Sequence, residues 1–170
     1  MGFRVREGSS ADVPEMEAVY QRSWKGAYES MLDPTTLDTM AAERAASFDW
    51  MQGISAPDSH VLVADNDGEI VGVAQAIEDL EPPRDLPEVL MLYVDPQHWG
   101  QGVATVLLAA ELRWLAERGH RHARLRVVQE HGRARRFYER EGWRFDDTMA
   151  PVSTGLATVI YYRRPTADEA

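Results

Sequence analysis

Two glycines one residue apart, Gly100 and Gly102, stand where an apolar run ends and a long helical pattern begins, in LYVDPQHWGQGVATVLLAAELRWLAERG over residues 92–119. A chain that leaves a strand through such a turn and enters a helix aims the unpaired N–H groups of the first helical turn at one point, at the positive end of the helix dipole. Such a loop can hold phosphate. Neither glycine carries a Cβ, so a diphosphate can approach the amides of Gln101, Gly102, Val103, Ala104 and Thr105 closely. The bare spacing fits a tight turn that binds nothing equally well. Two familiar nucleotide loops fail on the residues themselves. No Lys-Ser or Lys-Thr follows the glycines as in a P-loop, and the dinucleotide fingerprint would need a glycine where Thr105 stands.

Charge is the second feature with chemical consequences. The chain has a net charge of −10, yet the stretch from Arg118 to Arg144 holds nine of its 18 basic residues and three of its 28 acidic ones, a local +6 against −16 elsewhere. The overall balance argues against a nucleic-acid partner, because phosphate backbones are bound by accumulated Lys and Arg. The basic stretch suits a polyanion and the remainder attracts cations, although arginines in such numbers also serve as solvated edges of helices and strands. With no cysteine there is no disulfide, thiolate metal site or thiol nucleophile. The HRH triplet at His120 to His122 has no metal-ligand spacing, so no metal is expected.

These groups need elements to carry them. A length of 170 residues and 44% hydrophobic content suit one domain over residues 1–170. No apolar run approaches the roughly 20 residues of a membrane span and nothing near Met1 has a leader's apolar core, which predicts a cytoplasmic protein with no membrane partner. FRVRE at Phe3 to Glu7 alternates as a strand, and Ser10 is placed to cap a first helix with Pro14 in its opening turn. Asp33 and Pro34 open a second helix that runs through Leu37, Met40, Ala41 and Phe48. Residues 60–79 read as a hairpin turning at Asn66, Asp67 and Gly68, and EPPRDLP as a loop. The nearly continuous apolar run Glu88 to Val94 is a central strand covered on both faces. After Gly102 a helix runs to a stop at Gly119; ARLRVVQ is a fifth strand, HGRARRFYEREG a helix closed by Gly142, and WRFDD and ATVIYYRR the last two strands. Helices and strands mix without strict alternation. The expected fold is α+β, three-layer α/β/α, with a mixed and mostly antiparallel sheet of about seven strands and about four helices.

With VDPQHWGQGVATVLL and, downstream, HGRARRFYEREGWRF, the sequence resembles the GCN5-related N-acetyltransferases, the GNAT superfamily. The first stretch is similar to that family's acetyl-CoA pyrophosphate loop. The second is similar to its A-x-x-[FL]-Y-x-x-x-G-[FW] helix, at Ala134, Phe137, Tyr138, Gly142 and Trp143. Two positions depart from the pattern: Trp99 stands where the family has Gln or Arg, and His131 where it commonly has an Asn that touches the pantetheine arm. An imidazole can also donate a hydrogen bond there.

The resemblance implies acetyl transfer from acetyl-CoA to a primary amine of a small molecule or peptide, directly, in a ternary complex. It implies that the pantetheine lies beside Leu92, Tyr93 and Val94, one of whose N–H groups polarises the thioester carbonyl. It makes Tyr138 the general acid for the departing thiolate, although the helix pattern alone would make it an aromatic core residue. Glu88, 14 positions ahead of Gly102, matches the place of a strand-four catalytic glutamate in some members and is the candidate base, with Glu78 and Glu81 as alternatives near the acceptor side. A carboxylate at the mouth of that strand would be partly desolvated. One or two of Arg133, Arg135, Arg136 and Arg140 would reach the coenzyme's 3′-phosphate. Trp24 and Tyr28, four apart on one helix face, lie where the family's acceptor wall stands and fit the core equally. The acidity elsewhere suits a cationic acceptor. Rival readings are a noncatalytic acyl-CoA-binding module and an enzyme for a different acyl chain. Homodimer formation through edge strands is expected at family level only.

Overall fold

The computed structural model describes residues 2–78, 86–153 and 157–167 of the chain. Among them are eight strands and five α-helices, in the order β1 (Arg4–Glu7), α1 (Val13–Tyr28), α2 (Pro34–Ser47), α3 (Trp50–Ser55), β2 (Ser59–Asn66), β3 (Glu69–Ile77), β4 (Glu88–Val94), α4 (Val103–Glu117), β5 (His122–Val128), α5 (Gly132–Arg140), β6 (Arg144–Phe145), β7 (Val152–Ser153) and β8 (Thr158–Pro165). The strands form one sheet ordered β1-β2-β3-β4-β5-β8-β6, with β7 also on β8. β4 and β5 run parallel, whereas β1–β2, β5–β8, β6–β8 and β7–β8 are antiparallel. The fold is α+β around a mixed sheet, as the order of the elements predicts. No helix among the described residues is long and apolar enough to cross a membrane. The expected loop EPPRDLP falls largely outside the described residues, as does Glu81.

Packing divides the chain into two compact units, Met1–Gln75 with Met91–Glu111, and Ala76–Leu90 with Leu112–Ala170. In the first, period-two alternation sends the side chains of β2 to two cores. Val61 and Val63 pack with Met16, Val19, Tyr20 and Trp24 of α1. Leu62 and Ala64 pack with Val103 and Leu107 of α4. Gly72 on β3 sets how closely α4 approaches: a Cβ there would lie 2.9 Å from both Val103 Cγ1 and Leu107 Cδ1. The opening turns of α4 therefore sit flush on the sheet. In the second unit β5 pairs with β8 over seven positions, from His122↔Pro165 to Val128↔Val159. Tyr162 of β8 holds α5 by donating to Glu139 Oε1 at 2.7 Å and accepting from Arg135 Nε at 3.1 Å.

Three elements depart from the sequence reading. Ser10 does not cap α1; Ser9 caps a short 3-10 turn, Ser10–Asp12, and α1 begins at Val13. Asp12 Oδ2 accepts from both the N–H and the hydroxyl of Ser9, at 2.8 and 2.7 Å, while the Arg6 guanidinium beside Asp12 holds its carboxyl well below the usual carboxylate range. That reciprocal cap fixes the turn one residue early. The second helix stops at Ser47 rather than running through Phe48, which is extended, because Asp49 accepts from the Gln52 N–H at 2.9 Å and starts the separate helix α3. β7 has no counterpart in the sequence pattern, its two residues being too few for alternation to show.

Glu111, on the buried face of α4, is fully enclosed, with Oε2 2.8 Å from His60 Nδ1 on β2 and Oε1 buried without a hydrogen-bond partner among the described residues. Burial pushes its carboxyl up from 4.5 to about 7, against the opposing pull of His60. The folded chain thus retains a proton that the unfolded chain releases above its lower value. The stability this group contributes is complete below about pH 4.5 and is lost as pH rises through about 7. Glu111→Gln, which cannot ionise, should be the more stable protein at about pH 8, by up to about 3 kcal/mol, with the gap closing by about pH 5. Thermal midpoints of the two proteins across that range measure it.

Candidate active site

The glycine loop is built outward from the end of β4. Asp95, 4% exposed, donates its N–H to the Val71 carbonyl of β3 at 2.9 Å and caps a 3-10 turn, Pro96–His98, by accepting from the Gln97 N–H at 3.0 Å. Its Oδ2 accepts from Arg22 Nε of α1 at 2.5 Å. The Trp99 indole N–H then turns back to the Val94 carbonyl at 2.8 Å, and Gln101 Nε2 donates to the Gln97 carbonyl at 3.0 Å. Gly100 and Gly102 follow at φ +77° and +86°, in the left-handed region that favours glycine, and a Cβ at either would meet nothing within 4 Å. The first backbone bond into α4 runs from the Val106 N–H to the Gly102 carbonyl at 3.1 Å. The amides of Val103 and Ala104 precede it in the opening turn of the helix, where N–H groups have no helical carbonyl four residues back. Gly100, Gln101, Gly102 and Thr105 are exposed. The loop is thus a braced turn ending in a cluster of N–H groups at a helix's positive end, which suits a diphosphate.

Pairing of β4 with β5 covers Glu88↔Arg124 and Val89↔Leu125 only, so Leu92, Tyr93 and Val94 lie beyond that ladder. The Tyr93 ring meets Tyr20 of α1 edge to face at 4.5 Å. Trp24 and Tyr28 stack tilted at 4.7 Å; Trp24 belongs to the α1 core and Tyr28 packs against it.

Among the glutamates, Glu88 is 1% exposed, and its Oε1 accepts from Arg126 Nε of β5 at 2.5 Å. It is therefore enclosed rather than at the mouth of the strand. Its Oε2 is buried with no hydrogen-bond partner among the described residues. Glu78 has both oxygens engaged, Oε2 with Arg118 Nε at 2.5 Å and Oε1 with His120 Nε2 at 2.6 Å.

On α5, His131 is the N-cap, its Nδ1 accepting from the Ala134 N–H at 3.3 Å. Burial holds its pKa below the ordinary 6.5, so near neutral pH the ring is neutral, and an Nδ1 that accepts leaves the proton on Nε2. Tyr138 lies two turns on. Its ring is half-buried between Phe137 and Trp143, with centroids at 5.2 and 6.3 Å, and no described residue takes a hydrogen bond from its hydroxyl. Burial pushes the phenol up to about 12. Of the arginines, Arg135 is spent on Tyr162 and the Gln129 carbonyl, while Arg133, Arg136 and Arg140 are exposed.

Asp95 and Arg22 escape a reading of the sequence. The Asp-Pro pair that marks the start of α2 at Asp33 recurs at Asp95 and is the signal that finds it.

The sequence profile of the Acetyltransferase (GNAT) family matches residues 17–143. An uncharacterized N-acetyltransferase of Mycobacterium tuberculosis is 30% identical over 137 residues, covering 81% of this chain and 86% of that protein. Another, of Archaeoglobus fulgidus, is 27% identical over 156 residues, covering 90% and 97%. Among solved structures, the PaiA N-acetyltransferase of Thermoplasma acidophilum in complex with coenzyme A superposes with a TM-score of 0.78 at 19% identity, over 95% of this chain and 98% of that one. The ribosomal-protein-S18-alanine N-acetyltransferase of Escherichia coli does so with a TM-score of 0.66 at 18% identity, over 99% and 96%.

Proposed function

Because the chain belongs to the GNAT acetyltransferase family, we propose that it is a single-domain enzyme that moves an acetyl group from acetyl-CoA to a primary amine of a small molecule or peptide, directly, with both substrates bound. The observation that carries this reading is the loop itself: two exposed glycines in left-handed conformation lead into the start of α4, and a Cβ on either would meet no described atom within 4 Å. Leu92, Tyr93 and Val94, past the end of the β4–β5 ladder, are assigned to the pantetheine, with one backbone N–H polarising the thioester carbonyl. His131, its proton on Nε2, is assigned a donor's role toward the same arm. Arg133 and Arg136 are the arginines assigned to the 3′-phosphate.

The chemistry needs an amine stripped of its extra proton, attack of that nitrogen on the carbonyl carbon, loss of a second proton from the nitrogen as the C–S bond breaks, and a proton for the thiolate, so that one proton in all is released to solvent. Glu88 is assigned the first proton, since its Oε2 has no partner among the described residues to compete for it, whereas both oxygens of Glu78 are occupied. Tyr138 is assigned the last. Glu88→Gln should lower kcat about 30-fold, less than a directly acting base because water can relay the proton. Arg126→Gln, which leaves the carboxylate in place, is the control. Equal loss of stability in both proteins with kcat unchanged in Glu88→Gln would make the pair structural only.

A panel of amines scored by release of free thiol from acetyl-CoA, beside calorimetry with acetyl-CoA, tests the whole reading. Cationic amines head the panel, given the −16 outside the arginine cluster. Heat of binding without turnover on any amine indicates a binding module, and stronger thermal stabilisation by another acyl-CoA a different acyl chain. A cytoplasmic location and the absence of nucleic-acid and membrane partners remain part of the proposal, and a homodimer is to be read from solution mass.

A further inference from the structure

We propose that Trp99, Gly26 and the Arg22–Asp95 pair form a clamp that fixes the phosphate-binding loop against α1, making these residues positioning residues for acetyl-CoA. The inference rests on the reading of that loop given above. Arg22 and Gly26 are four apart and so share one face of α1. At the first, the guanidinium holds the buried carboxylate that caps the turn, Arg22 Nε to Asp95 Oδ2 at 2.5 Å. At the second, the absence of a side chain lets the helix backbone meet the loop directly: a Cβ on Gly26 would lie 2.8 Å from Pro96 Cγ and 2.9 Å from Trp99 Cη2. The space a side chain would fill is taken by the indole, whose N–H is in turn tied to the Val94 carbonyl. Pro96 and Trp99 thus lie between α1 and the end of β4, with the two left-handed glycines following at once.

The chemistry of position 99 follows from this. A glutamine or arginine here would be free to reach an anion, but the half-buried Trp99 is turned inward and presents no charge to one. Affinity then depends on amides already set in their binding geometry, so that little ordering cost remains when the diphosphate arrives. Loosening the clamp should weaken ground-state binding of acetyl-CoA and leave the chemical step alone.

The test measures acetyl-CoA dissociation constants by calorimetry and kcat and KM by thiol release. Trp99→Phe keeps an aromatic side chain but removes both the N–H donor and the outer ring that meets Gly26; Arg22→Ala removes a partly exposed side chain and leaves the core untouched. Each should raise Kd and KM about fivefold with kcat within about twofold, and Arg22→Lys should recover part of the loss. Gly26→Ala, which forces the contact apart, should raise them about tenfold or more. Wild-type affinity in both Trp99→Phe and Arg22→Ala, or a fall in kcat at unchanged Kd, overturns the clamp. If Trp99→Phe does not fold, Arg22→Ala and its lysine counterpart decide alone. Absence of acetyl-CoA binding by the wild type would instead overturn the reading of the loop, a separate outcome.

Discussion

Tyr138→Phe should slow acetyl transfer by about 10²- to 10³-fold while acetyl-CoA binds within about twofold of the wild type. The substitution removes one oxygen and keeps the ring that packs with Phe137 and Trp143. What is lost is a proton donor with no competing hydrogen bond among the described residues. Burial pushes that phenol up to about 12, so it remains protonated through the working range, and no loss of activity from its ionisation should appear below about pH 11. A donor so weak cannot protonate a resting thiolate, whose thiol has a pKa near ~8.5 by analogy with cysteine, to any great extent. It serves only as charge develops on sulfur, which is why the loss should fall on kcat and not on affinity. Single-turnover rates with a good amine measure this, and an unchanged rate removes Tyr138 from the chemistry.

Gly102→Val should raise the KM for acetyl-CoA by about 100-fold or more. Gly102 sits at φ +86°, where a β-branched residue is strained by roughly 1–3 kcal/mol, and its Cβ would project into the open space before the loop amides. A chain that relaxes the strain turns the peptide and takes the amides out of alignment; a chain that keeps it puts an isopropyl group where phosphate oxygens approach. Gly68 provides the control. It has φ +94° and equally open surroundings, but lies in the β2–β3 turn. Gly68→Val should cost similar stability and leave the KM for acetyl-CoA unchanged; equal KM values for both variants would detach the loop from the coenzyme.

The parts of this protein that are legible in its sequence are those set by neighbours in the chain. The apolar run of β4, the Asp-Pro cap of α2, the Asp67-Gly68 turn and the two stopping glycines after α4 and α5 are each read from a few adjacent residues, and the structure has them in place. Where two local signals compete the reading slips: adjacent serines both suit a cap, and it is Ser9 that bonds Asp12, a carboxylate also held by Arg6 from β1. The glycine loop is legible as a turn but not as a braced one, since Arg22 and Asp95 are 73 residues apart. Glu88 is the same case. Its strand position is local, but its enclosure with Arg126, 38 residues later, follows from sheet order. Glu111 appears in the sequence as one of four polar residues in a largely apolar helix, and its partner His60 comes from a strand 51 residues earlier.

The two compact units are interleaved along the chain, since Ala76–Leu90 of the second falls between the two segments of the first. During synthesis the first 75 residues emerge without the end of β4 or the opening of α4, and that unit cannot close until residue 111 has left the ribosome. Contacts made across so many intervening residues also slow folding. Neither unit is a contiguous stretch that could be expressed alone, and a protease cut between Gln75 and Met91 would leave two fragments each needing the other to finish its core.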